Sequence, residues 1–95
     1  MTENDETYEG VWEAIEDTPE AAANLRIRSE LMVAITEQIR LAGITQAGAA
    51  KRFGVTQPRI SDLMRGRIDL FSIDALVNML TAAGLHLELH VSQVA

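Results

Sequence analysis

The stretch from Thr45 to Gly66, TQAGAAKRFGVTQPRISDLMRG, holds the side chains of this 95-residue chain that are best suited to chemistry. Gln57 presents a donor and an acceptor on one planar amide, which suits adenine N6 and N7; Arg59 presents a fork that suits guanine O6 and N7. Thr56 can set its methyl against thymine, and Asp62 can accept from cytosine N4 or orient Arg59 or Arg65. Pro58 cannot donate to a base, so base reading falls to Gln57, Arg59 and Ser61. Gln46 opens the preceding segment, where helix amides and the helix dipole attract phosphate. Thr45, Lys51, Arg52, Arg65 and Arg67 are candidate clamps on a nucleic-acid backbone. The competing reading is a structural helix pair with ordinary solvated charges.

Two short helices about a glycine turn are needed to place these groups. Thr45 caps the first, which runs through Phe53; Gly54-Val55 makes the turn; Thr56 caps the second, which ends at Gly66. Helices this short are not stable alone in water. They must share an apolar seam, predicted as Ala47, Ala50, Phe53, Val55, Ile60, Leu63 and Met64. Ile60 and Met64 then mark the buried side of the second helix, and Pro58, Ser61, Asp62 and Arg65 point outward. This is a helix-turn-helix pattern, in which the second helix enters the major groove.

The rest of the chain supplies supports. Tyr8, Val11, Trp12 and Ile15 fall on one face of a short helix. Thr18-Pro19 starts a long helix, Pro19 to Ala42, about 35 Å in length. Its predicted inner stripe is Leu25, Met32, Ile35, Ile39 and Ala42, and Gly43 supplies the stop. Ser72 caps a last helix with Ile73, Leu76, Val77 and Leu80 inward, stopped near Gly84. Residues 85–91 alternate strictly, with Leu85, Leu87, Leu89 and Val91 on one side, and read as a strand. No second good strand is evident, so its backbone groups need a partner from outside. We expect it to pair antiparallel with its copy in a second subunit.

Net charge is −6, which argues against nucleic acid until its distribution is seen. Residues 1–20 hold eight acids and no Lys or Arg, while the stretch 43–68 carries five cations against Asp62 alone. The chain thus divides into an acidic segment, residues 1–17, and a basic-faced domain, residues 18–95. Cysteine is absent, which excludes disulfides and thiol catalysis and fits the cytoplasm. No secretion signal or membrane span is evident. No nucleophile–base pair or phosphate loop suggests an enzyme, and no cofactor is implied. His86, Glu88 and His90 share one side of the predicted strand and could bind Zn²⁺ or Ni²⁺; a wet face is the plainer reading. Tyr8 and Trp12 suit either a protein anchor or docking on their own domain.

The segment GITQAGAAKRFGVTQPRISDLMRGR resembles the DNA-binding unit of the Xre/Cro-repressor superfamily, through Thr45-Gln46, Ala50, Gly54-Val55, Thr56-Gln57, Ile60 and Gly66. The long preceding helix, DLFSIDALVNMLTAAGLHLELHV and the acidic Trp-containing lead-in look like HigA-type antitoxins and their stand-alone relatives, over roughly residues 10–91. The chain departs from the pattern at Gly48, usually a longer and often acidic residue, and at Pro58, often a polar base-reader. The resemblance implies an all-α, five-helix, lambda-repressor-like fold with one C-terminal β-strand. Its functional implication is a homodimeric regulator, expected to be a repressor, that reads a palindromic operator in double-stranded DNA. The alternative is an antitoxin that neutralises a small toxin by protein–protein binding and uses DNA for autoregulation.

Overall fold

The computed structural model describes residues 18–94. Four α-helices follow one another: α1 (Pro19–Ala42), α2 (Gln46–Phe53), α3 (Gln57–Met64) and α4 (Ile73–Ala82), with a single 3₁₀ turn at Ile68–Leu70 between the last two. The fold is all-α. The additional helix expected around Tyr8 to Ile15, and the acidic segment as a whole, lie outside the described residues.

Each helix starts where a hydroxyl is available. The side chains of Thr18, Thr45, Thr56 and Ser72 accept from the amides of Ala21, Gly48, Arg59 and Ala75. Each satisfies one backbone donor that the first helical turn would leave unpaired. Three of these starts share a further pattern. Ile44, Val55 and Phe71 precede their caps, and Ala49, Ile60 and Leu76 stand four residues after them. That is the spacing of a hydrophobic staple. Ala49, Ile60 and Leu76 are all completely buried, and Phe71 is nearly so. The residues that start the helices therefore also anchor them in the core.

Packing joins α1 to α4 and α2 to α3, with lesser contacts from α1 to the 3₁₀ turn and to α3. The core comprises Leu31, Met32, Ile35 and Ile39 of α1, Ala49 and Ala50 of α2, Ile60 and Leu63 of α3, and Leu76, Met79 and Leu80 of α4, closed by Phe71. No polar or charged side chain is buried among the described residues. No described helix is long and apolar enough to cross a membrane.

Several expectations are corrected. The α2 seam uses Ala49 with Ala50; Ala47 is exposed. On α1, Ala42 is exposed and Leu25 only half-buried, while Leu31, outside the predicted stripe, is part of the core. On α3, Leu63 is buried and Met64 only half-buried. The helix ends at Met64, two residues short of Gly66, which turns the chain with φ +74°.

The largest correction concerns residues 85–91, which form no strand. The Leu85 amide still donates to Leu80 O, closing the end of α4, and Leu85 packs on the core. Beyond it Leu87, Leu89 and Val91 are exposed, the last two at 82% and 89%. A strand needs a neighbour for its ladder, and α-helices have already used their own backbone groups. Nothing described in the single chain can pair with this segment.

Candidate nucleic-acid interface

The two-helix unit at α2 and α3 is built as a turn with little freedom. Gly54 takes φ +71°, a left-handed conformation that costs glycine least, and its amide donates to Lys51 O. The Val55 amide reaches back to Ala50 O at 3.0 Å. These bonds satisfy carbonyls at the end of α2 and set the angle at which α3 departs. Ile60 and Leu63 then turn one side of α3 into the core; on the opposite side Pro58 and Arg65 are exposed, while Ser61 and Asp62 are half-buried.

Four of the predicted site residues come together. Gln46, from the start of α2, lines one open cleft with Gln57, Pro58 and Ser61 of α3. Gln46, Gln57 and Pro58 are exposed and Ser61 is half-buried. Two amide side chains and a hydroxyl, each able to donate and accept, thus face a shared space beside two helix N-termini. Thr45 and Thr56 stand at the same ends, but their hydroxyls are engaged as caps. The methyl of Thr56 is what remains for an apolar contact.

The remaining candidates are arranged otherwise. Asp62 accepts from Arg65 Nη2 at 3.1 Å, so of its expected roles the structure displays the partner that orients Arg65. Lys51 and Arg52 lie in the last turn of α2, where cations complement the helix dipole. Arg52 lines a different cleft, between α1, α2 and the end of α4. Arg67 is exposed just past α3. Arg59 does not project with Gln57. Its guanidinium lies 4.0 Å from the centre of the Phe71 ring, and Nη1 donates to Leu70 O at 2.7 Å.

Two residues absent from the expectations shape this region. Arg28 of α1 donates to Asn24 Oδ1 at 2.7 Å and to Ile68 O at 3.0 Å. Phe71 offers its ring to Arg59 from within the core. The staple spacing of Phe71, Ser72 and Leu76 was a usable signal for the second. For Arg28 the sequence held none, since its acceptor is a backbone carbonyl 40 residues away.

At the C-terminal end, His86, Glu88 and His90 are exposed. No three acidic, His or Cys side chains among the described residues converge on a point that could hold a metal.

Two short capped helices about a glycine turn, with the second helix buried on one side and open on the other, define a helix-turn-helix DNA-binding domain. The chain belongs to the helix-turn-helix domain family, which it matches over residues 14–92. Among solved structures it is similar to a protein assigned to the XRE family of transcriptional regulators. The two are 29% identical, cover 77% of this chain and 82% of that one, and superpose with a TM-score of 0.72. No curated protein sequence matches the chain.

Proposed function

We propose that the protein is a transcriptional repressor that reads a palindromic operator sequence-specifically as a homodimer. The observation that carries this reading is the shared open face of Gln46, Gln57, Pro58 and Ser61 at the adjoining ends of α2 and α3. Gln57 and Ser61 supply hydrogen bonds to base edges, and Thr56 supplies a methyl. Gln46 and the α2 N-terminus meet a phosphate. Lys51, Arg52, Arg65 and Arg67 add cationic contacts that hold the backbone without regard to sequence. Repression follows from occupying a site that polymerase must use.

The dimer rests on residues 85–91. One reading helix spans only a few base pairs, so such domains double their target by two-fold symmetry. Leu87, Leu89 and Val91 are exposed on a segment whose backbone has no ladder in one chain. Antiparallel pairing with a second copy would satisfy both the backbone and the apolar side chains.

A second reading, neutralisation of a toxin, draws support from the eight acids in residues 1–20, which would complement a basic partner. Fluorescence anisotropy on DNA from immediately upstream of the gene, against random competitor at two salt concentrations, tests the first reading. Tight, salt-sensitive binding that random DNA fails to displace is expected, and Gln57→Ala should cost ~1–3 kcal/mol of that preference. Equal binding to random DNA would remove the repressor reading and leave capture of a partner protein.

A further inference from the structure

Arg59 stands in the first turn of α3, between the exposed Pro58 and the fully buried Ile60. Its sequence position suits a base reader, yet its guanidinium folds back onto the segment that follows α3. The guanidinium stacks on Phe71, which is 2% exposed and hence closed to any external ligand. Nη1 donates to Leu70 O in the segment that leads from α3 to α4. That acceptor is itself held in place. The 3₁₀ turn that ends at Leu70 is gripped from α1 by Arg28, whose Nη1 donates to Ile68 O, and the Phe71 amide donates to the same carbonyl. Two arginines from two helices thus fasten one short strap. The helix so fastened has only eight residues, too short to keep its direction by its own hydrogen bonds.

We propose that Arg59 is a positioning residue that fixes the tilt of α3 against the strap, and so aims Gln57 and Ser61. This role rests on the DNA-binding reading above. A guanidinium bond to a carbonyl and a ring stack made together are comparable in strength to a base contact, so the arginine does more by staying than by reaching out. The two roles leave different marks. A direct reader carries information about one base pair. A residue that aims its neighbours carries information about every pair they read.

The experiment selects a preferred sequence from a randomised duplex pool with the full chain, then measures affinity for every single-base variant of it. Arg59→Met, Phe71→Leu and the double variant are compared with the parent, each checked for folding by thermal melting. Arg59→Met is expected to weaken the best sequence on the order of tenfold and to flatten preference at several adjacent pairs. Phe71→Leu should flatten the same pairs, and the double variant should lose no more than the worse single one. Amide hydrogen exchange in the first turn of α3 should speed up in both singles. A loss confined to one base pair, with Phe71→Leu silent, would overturn the positioning role alone. If Phe71→Leu does not fold, the Arg59→Met profile decides by itself. Failure of the parent to enrich any sequence would overturn the DNA reading, and this role with it.

Discussion

Residues 45–66 and residues 85–94 both carry clear sequence patterns, but only the first is realised within one chain. In the helix-turn-helix unit, every requirement has a nearby answer. The Thr45 and Thr56 hydroxyls serve amides three residues on, Gly54 turns the chain, and Ala49, Ala50, Ile60 and Leu63 bury one another. In the C-terminal segment the alternation of leucines with His86, Glu88 and His90 produces no corresponding alternation of burial; from His86 to Val94 every residue is exposed. The difference lies in where the hydrogen-bond partners come from. A helix finds them a turn away, whereas a strand must find them on another strand. A pattern is therefore predictive of structure only when the chain also contains what completes it.

Three substitutions would break or sharpen this contrast. Ile60→Ala strikes the self-sufficient region at a completely buried site and should cost ~2–4 kcal/mol, measured by urea unfolding. A loss below about 1 kcal/mol would show that α3 is not held by this seam. Gly48→Ala works in the opposite direction. The added methyl would meet Thr45 Oγ1 at 3.3 Å and Ile44 Cβ at 3.7 Å, so the cap must give slightly. The gain in helix propensity outweighs that, for a net stabilisation of about 0.5 kcal/mol in the same assay. Leu89→Lys should change the unfolding free energy of a dilute sample least, within about 0.5 kcal/mol, because the side chain is exposed. It should instead reduce the sedimenting mass of a concentrated sample to that of one chain. An unaltered dimer would remove residues 85–91 as its interface.

The same contrast explains what could be read beforehand. The bounds of α1, its Thr18 cap and its Gly43 stop follow from local chemistry, and so do the starts of α2, α3 and α4. The grouping of Gln57, Pro58 and Ser61 away from the core was legible too, since Ile60 fixes the buried side of a short helix. Ala47 and Ala49 were harder, because alanine is small enough for either environment and two neighbouring alanines leave the phase of α2 loosely marked. The fate of Arg59 was not legible. Its outward and inward orientations differ by a side-chain rotation, and the choice depends on Leu70 O and Phe71, 11 and 12 residues along the chain, where the 3₁₀ turn brings them close. Arg28 was invisible for the same reason. A long cation whose acceptor is a distant carbonyl looks like any other surface charge.

The short connections between the helices bear on time as well as form. Three residues separate α1 from α2, and three separate α2 from α3. The α2–α3 pair forms between neighbours, and the farthest association needed is that of α4 with α1. Helical domains dominated by such local contacts fold in roughly microseconds to milliseconds. Synthesis adds only about 5–20 residues per second. Once the chain through α4 is free to fold, the DNA-binding unit can therefore assemble in less time than synthesis takes to add one residue, and its core leucines have no need to wait in an unfolded chain.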